Sequence, residues 1–490
     1  MENITEGIMV FKSLERIIFD GMCKVACQII AEYLHTWDQI IMSRRDTAEY
    51  RCIDARPTSI KTLMGEVRYK RYYYKKRSGG YVFLLDEAME IAGGHGLVSE
   101  NLAEQILLES SDKSYRKAAD SISSLTGQGI SRMGIWNVLQ SYGERVKKQE
   151  ERLYELDGEG VIGQLGNVAC PALFAEGDDV WLNMQRETRR KAGTPTTEGE
   201  RKRTGKKPMH IGTAYTGWIQ QDDGSYATVN KFAYAGFSDS SDFVSTFESL
   251  LRQRFDMDGV ERMVVNGDGE AWIRTMAENN DAILQLDPYH RSKAIMKAVK
   301  DKGERKKLND AIREKDVGKA LDSICMLAAT ASDEASFNKL VDLFVYFDNN
   351  RDTLLPWQDR VGHMPEPPTG IVYRNMGTQE HSNCDLLTQR MKHRKGAWSI
   401  SGANNMARVL CLRNTIGLDA MLGALPEPSG VAWIQGEPLS AAKSPQCDGK
   451  GYDASWLYAG MPFEETFATA GRKAIRGLLR QRPLSELAFI

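Results

Sequence analysis

Three carboxylates stand where the chain could do chemistry. The first lies in Glu176-Gly177-Asp178-Asp179, after the apolar run Ala172-Leu173-Phe174-Ala175. The second is Asp268 in Asn266-Gly267-Asp268-Gly269-Glu270, after Met263-Val264-Val265. The third, Glu380, opens a segment that carries Cys384, Leu387 and Met391 on one face at helical spacing. Ligands of α/β sheets gather at the carboxyl ends of strands, and flanking glycines let a metal or a phosphate come close to Asp268. Read alone, Asp268 fits a helix cap equally well. Clustered, the three acids repel: two charges ~4 Å apart cost about 4 kcal/mol at an effective dielectric near 20. Cations relieve that cost. Hard Mg2+ takes oxygen ligands, and two such ions can align an attacking and a leaving oxygen on a phosphate.

Each acid needs an element to hold it. The pattern predicts two strands around an acidic turn at 176–179, a third strand over 210–218 and a return over 226–235. A helix follows over 238–255, and Ile283-Leu284-Gln285-Leu286 reads as a further strand. Asp287-Pro288-Tyr289-His290 comes next, and Pro288 ends the strand there. His290 is either a surface histidine or a neighbour of the acids oriented by Asp287, as outer-shell acids orient imidazoles. Residues 291–348 are helical and charged, and Pro365, Pro367 and Pro368 form a linker. Arg390, Lys392, Arg394 and Lys395 make the late helix basic. The loop over 189–207 is rich in Lys and Arg and is either a surface loop or a phosphate contact.

Upstream, residues 8–43 read as one amphipathic helix. Glu66-Val67-Arg68-Tyr69-Lys70-Arg71-Tyr72-Tyr73-Tyr74 reads as a basic strand, with its hairpin partner over 81–85. Around Gly127 and Gly129, two short helices fit a helix-turn-helix, the second opening at Ser131. In that motif Ser131, Arg132 and Asn137 would meet base edges, and Arg116 and Lys117 phosphates. An ordinary helical hairpin fits the same residues. The charged run over 144–155 closes this region.

At 490 residues the chain exceeds one core, and two to four domains are expected. Apolar content of 42% and charged content of 27% suit a globular protein. A formal net charge of −2 is unusual for a nucleic-acid binder, although the placement of charge decides binding. The 8 cysteines are scattered without zinc-finger spacing, as in a reducing compartment. With Glu2, Glu6, Lys12, Glu15 and Arg16 among the first apolar residues, no signal peptide is expected. No run of ~18 apolar residues exists to span a membrane. A cytoplasmic protein is expected.

In these motifs the chain resembles the DDE transposases of bacterial insertion sequences, of the ISLre type, and more distantly the Mutator-like elements. The likeness runs through Tyr81-Val82-Phe83-Leu84-Leu85-Asp86-Glu87, Glu176-Gly177-Asp178-Asp179-Val180-Trp181 and Asn266-Gly267-Asp268-Gly269-Glu270-Ala271-Trp272-Ile273. It continues through Asp287-Pro288-Tyr289-His290 and from Gly377-Thr378-Gln379-Glu380 by Arg390-Met391-Lys392 to Trp398-Ser399. The resemblance implies an α/β fold: a ribonuclease-H-like mixed sheet with helices on both faces, interrupted by an all-helical insertion. The implied order is a helix and basic hairpin over 1–97, a helix-turn-helix region over 98–155, and the catalytic core over 165–290 and 371–421. The insertion occupies 291–370, and a tail 422–490. Asp178, Asp268 and Glu380 are implied as the triad for two Mg2+ or Mn2+ ions, with Asp178 preferred to Asp179 by the family's register. Asp287 and His290 match an Asp-x-x-His element that accompanies the triad. Arg390 and Lys392 would contact DNA. The implied function is metal-dependent cleavage and joining of DNA, with element ends and target DNA as partners of a homo-oligomer. A non-catalytic helix-turn-helix protein and a nuclease on the same scaffold remain open.

Arg132→Ala should cost ~1–3 kcal/mol of end binding and relax sequence choice, while Lys117→Ala should weaken all sequences alike. Gel shifts with matched and scrambled ends check both. Wild-type binding by both variants would leave an ordinary helical hairpin.

Overall fold

The computed structural model describes residues 2–89, 97–126, 129–158, 166, 168–185, 205–377, 384–393 and 396–415. They fall into two compact units.

The first unit covers 1–110 and 115–138. It opens with α1 (Glu2–Arg44) and a four-stranded sheet of β1 (Tyr50–Lys61), β2 (Glu66–Lys76), β3 (Tyr81–Val82) and β4 (Leu97–Val98), in the order β3-β2-β1-β4. Leu34 and Ile41 of α1 pack on Ile60, Val67, Tyr69 and Tyr74 of the sheet. The basic strand β2 pairs along its whole length with β1. The expected partner over 81–85 pairs at only two residues, and Leu84 and Leu85 begin the short helix α2 (Leu84–Ala88). Both leucines are wholly buried. Neighbours on a strand point to opposite faces, so two adjacent core leucines suit a helix better.

Helices α3 (Glu100–Asp112) and α4 (Tyr115–Thr126) precede α5 (Arg132–Gly158). The Oγ of Ser131 accepts the Gly134 N–H at 3.0 Å at the start of α5. In place of a short second helix closed by a charged run, α5 continues for 27 residues. The reason is a stripe of buried Ile135, Leu139, Tyr142 and Val146 at helical spacing.

The second unit covers 111–114 and 139–425. Its strands are β5 (Ala172–Asn183), β6 (Lys206–Tyr215), a small hairpin of β7 (Trp218–Gln220) and β8 (Tyr226–Thr228), β9 (Phe232–Gly236), β10 (Arg262–Gly267) and β11 (Ile283–Leu286). Five of them form a mixed sheet in the order β11-β10-β5-β6-β9. β5, β6 and β9 are antiparallel, whereas β10 and β11 run parallel to β5. The expected acidic turn at 176–179 is instead the middle of β5. Antiparallel β6 pairs with β5 from Phe174 to Asn183 and carries the strand straight through it.

Helices α6 (Ser240–Arg254) and α7 (Ala271–Asn279) cover one face, with Phe243, Phe247, Trp272 and Ile273 in its core. Trp357 and Met376 lie in the core of the other face, against Phe174 and Val264. The insertion follows β11 as α8 (Pro288–Ala298), α9 (Lys302–Arg313), α10 (Val317–Ala329) and α11 (Glu334–Asn349). Asp287, Asp301, Asp316 and Asp333 each cap one of these helices by accepting a backbone N–H. Ile295, Leu308, Leu321, Ile324 and Phe347 form its separate core.

Two later elements depart from the expected pattern. Residues Cys384–Lys392 form a π-helix, with the His393 N–H bonded to the Thr388 carbonyl at 2.9 Å. Its wider turn buries Leu386, Leu387, Arg390 and Met391 together. Helix α12 (Ile400–Thr415) was not expected and is buried from Gly402 to Cys411 apart from Asn404. Its Arg408 Nε donates to Glu150 of α5 at 2.6 Å, across 258 residues of sequence. Burial raises the Glu150 carboxyl above its ordinary value, with Arg408 pulling the other way. The tail over 422–490 lies outside the described residues.

Three glycines stand side by side across the central strands: Gly267 pairs with Gly177, and Gly177 with Gly212. A Cβ on Gly177 would meet the Trp272 ring at 2.6 Å, one on Gly267 would meet Ile273 at 2.6 Å, and one on Gly212 would meet Phe247 at 2.8 Å. The row lets α6 and α7 sit directly on the sheet. Gly177→Ala should cost ~1–3 kcal/mol through overpacking, lowering Tm by roughly 2–12 °C. Gly205→Ala, with nothing within 4 Å of its Cβ, should leave Tm unchanged. Calorimetry of the two variants is the check.

Candidate active site

Strand alternation sorts the sheet residues into layers. On one face Phe174, Val264 and Ile283 align across β5, β10 and β11, and Glu176, Asn266 and Gln285 align one step further on. This second row is buried and joined sideways. Asn266 Nδ2 donates to Glu176 Oε2 at 2.9 Å, and Gln285 Nε2 donates to Asn266 Oδ1 at 3.0 Å. The Tyr215 hydroxyl donates to Glu176 Oε1 at 2.6 Å, and Gln285 Oε1 accepts the Trp357 N–H at 2.8 Å.

The next step on the same face carries acids. Asp178 continues β5 past Gly177, where its parallel neighbour β10 stops. Asp268 lies one residue beyond β10 and Asp287 one beyond β11. Asp178 and Asp268 meet His290: one ligand atom from each lies within 4.8 Å of the others. His290 Nε2 is 3.8 Å from Asp178 Oδ2. Asp178 is buried, while Asp268 and His290 are half-buried. Burial holds the Asp268 carboxyl above the ordinary carboxylate range. The Glu270 N–H and His290 pull it down, and Asp179 pushes it up. Glu270 is also raised, by burial and then by Asp268 and Asp179.

Asp287 does a different job from orienting the His290 ring. Its Oδ1 accepts the backbone N–H groups of Tyr289 at 2.7 Å and His290 at 3.1 Å, and its Oδ2 accepts from Asn266 at 2.8 Å. It starts α8, and so places His290 through the backbone. Asp179 points to the opposite face, where its Oδ1 lies 2.6 Å from His210 Nδ1. The His210 ring packs beside Trp272, with centroids 5.2 Å apart.

The Asp268 loop is held from the insertion. The Tyr346 hydroxyl donates to the Asp268 carbonyl at 2.8 Å. Arg274 donates to the Asn349 carbonyl at 3.1 Å and to Asn350 Oδ1. Gly269 has φ +98, and a Cβ there would lie 2.9 Å from Asn350 Oδ1. Between this loop, α8 and α11 lies a cleft of about 810 Å³, lined by Asp268 and His290 and by Arg274, Lys293, Lys297 and Lys339.

The other residues singled out from the sequence lie elsewhere. Glu380 falls outside the described residues. Arg390 is not presented on a basic outer face: the π-helix buries it, with its guanidinium 5.3 Å from the Trp398 ring centroid. Lys392 is exposed. In the first unit Arg116, Lys117, Ser131 and Arg132 are exposed and Asn137 is half-buried. His210, Glu176 and Asn266 were missed. His210 faces Asp179 only through the β5–β6 register, and no sequence period reveals that pairing across the long loop between the strands.

A family model described as an uncharacterised protein family, UPF0236, matches residues 4–421. A UPF0236 protein of Caldanaerobacter subterraneus subsp. tengcongensis, whose name joins 11 locus tags, is 24% identical over 363 residues, covering 71% of this chain and 67% of its own. A second from that organism, with four tags, is 26% identical over 367 residues with the same coverage. A UPF0236 protein in vanSb 3'region of Streptococcus gallolyticus is 21% identical over 408 residues, covering 80% of each chain. Among solved structures, a Mos1 pre-cleavage transpososome is 12% identical with a TM-score of 0.13, covering 51% of this chain and 78% of its own. The Drosophila P element transposase strand transfer complex is 8% identical with a TM-score of 0.18, covering 65% and 83%. Among the described residues, no helix is long and apolar enough to cross a membrane.

The raised Asp268 carboxyl has a pH consequence. A folded-state value above the unfolded one stabilises the fold below the unfolded value, and that stability is lost as pH rises through the folded one. Once ionised, this poorly solvated carboxylate weakens the fold, a cost that a divalent cation would offset. Mg2+ or Mn2+ at a hundredfold its Kd should raise Tm by roughly 5–10 °C, with a smaller gain at acid pH. Asp268→Asn should lose the gain without losing stability in EDTA. Thermal scans would refute the site if that variant kept the full shift.

Proposed function

The chain belongs to the uncharacterised protein family UPF0236, and we propose that it is a DNA transposase that cuts and joins strands with divalent metal ions. The observation that carries this reading is the meeting of Asp178, Asp268 and His290 within 4.8 Å at one edge of a mixed sheet. Three antiparallel strands followed by two parallel crossovers, with acids from the first and fourth strands at that edge, support a ribonuclease-H-like core. The resemblance of the same motifs to DDE transposases supports the chemistry. Relatives whose names join 11 and four locus tags of one genome suit a sequence that multiplies itself.

The residues fit the metal. The edge offers buried and half-buried carboxylate oxygens beside one another, and the Asp268 carboxyl is raised by burial, so a cation restores what solvent does not supply. Hard oxygen donors suit Mg2+ or Mn2+. Asp178 and Asp268 would hold the ions, with Glu380 as the third acid. The ions would supply Lewis acidity for the attacking and leaving oxygens of a scissile phosphate. His290 would hydrogen-bond a phosphate oxygen or take a proton. Lys293, Lys297 and Lys339 would hold the incoming polyanion along the cleft, and the buried row beneath the acids keeps them in place.

Asp178→Ala, Asp268→Ala and Glu380→Ala should each lower cleavage and joining of the gene's own flanking DNA more than ~100-fold, beyond the loss usual for an outer-shell partner. End binding should persist. His290→Ala should slow cleavage by about 10–100-fold with the metal requirement unchanged. Strand-transfer assays with and without Mg2+ read all four. Wild-type joining by Asp268→Ala would falsify the proposal, and cleavage without joining would make the protein a nuclease.

A further inference from the structure

The insertion holds a second groove, on the other flank of α8. It has a volume of about 780 Å³ and lies between α8, α9 and the turn at Trp357–Asp359. Ile295 and Ile312 belong to its lining. Around them stand five cations, Arg291, Lys302, Arg305, Lys306 and Arg313, against one carboxylate, Asp359. The nearby acids are already engaged. Asp359 pairs with Lys315 at 2.8 Å, Asp310 with Arg313 at 2.9 Å and Glu304 with Lys307 at 2.7 Å. Among the described residues, Arg305 donates only to backbone carbonyls, those of Lys300 and Asp301. Among the described residues, Lys302 and Lys306 form no ion pair.

The spacing is regular. Lys302, Arg305, Lys306, Asn309 and Arg313 recur along one face of α9. At 1.5 Å per residue this stripe is ~16 Å long. Duplex DNA carries one negative charge per ~1.7 Å of its axis, both strands counted, so a stripe of this length lies beside more than one phosphate. Like charges one turn apart destabilise a helix, and a polyanion removes that repulsion. Helix α8 forms a wall of both clefts: His290, Lys293 and Lys297 line the first, Arg291 and Ile295 the second.

We infer that this groove is a second binding site for the phosphodiester backbone of duplex DNA, distinct from the cleft beside Asp268 and independent of base sequence. The choice of DNA as the polyanion rests on the transposase reading; the groove and its charge do not.

The test measures binding by the full chain in EDTA, so it needs no catalysis and can fail or succeed apart from that reading. Two fluorescent duplexes are titrated against salt, one with the gene's flanking sequence and one of unrelated sequence. Lys302→Gln/Lys306→Gln should make the slope of log K on log[salt] shallower by about 2, one for each phosphate left without its lysine. Lys307→Gln/Lys319→Gln removes the same charge from cations engaged by Glu304 and Glu314 and should keep the wild-type slope. Loss on both duplexes is the expected result; loss on only one would overturn the independence of base sequence. Matched thermal midpoints show that both variants fold. A wild-type slope in the groove variant or an equal fall in the control would each overturn the inference.

Discussion

The hydrogen bond from Asn266 to Glu176 joins two side chains with no solvent exposure, on neighbouring strands. A buried carboxylate and a buried amide are costly unless each finds partners. Here Asn266 serves Glu176, Asp287 and Gln285 together. A one-residue slip of β10 against β5 would turn Asn266 to the opposite face and leave Glu176 without that donor. The row therefore locks the register of three strands, and the acids one layer above inherit it. Asp178, Asp268 and Asp287 reach one edge because the layer beneath them cannot shift.

Two elements hold the edge. The glycine row brings Trp272 and Ile273 onto β5 and β10, which fixes where α7 begins and hence the loop that carries Asp268. From the insertion, Tyr346 fastens the same loop by its carbonyl. Preorganisation of this kind suits chemistry on phosphates, where catalysis comes largely from positioning and charge. The half-buried acids and the basic walls of the cleft set opposite charges side by side, a division that the near-neutral whole chain conceals.

What could be read in the sequence followed from local physics. The Asp268 loop was legible because an apolar strand runs into Gly-Asp-Gly, and the start of α8 because Asp287 and Pro288 both favour a helix N-terminus. Asp178 was visible as an acid but not as a mid-strand residue, since the strand β6 that carries β5 onward lies beyond a long loop. Strand β1 went unread: it is mostly exposed on both faces and broken by an irregularity between Cys52 and Asp54, so it shows little alternation. Helix α12 went unread for the opposite reason. It is buried around nearly its whole circumference and carries Asn405, Arg408 and small residues, which leaves no apolar stripe to detect. The π-helix defeats a 3.6-residue count by construction.

The pairing of Glu150 with Arg408 also sets a timetable for biosynthesis. These two groups are 258 residues apart in the chain. At about 5–20 residues per second, Arg408 leaves the ribosome roughly 13–50 s after Glu150. Over that interval Glu150 cannot enter its final surroundings without leaving a charge unpaired, and the surface that α12 will cover lies open. The native packing of the second unit thus waits for α12, and a ribosome that stalls before α12 would release a chain with its sheet in hand and that helix missing.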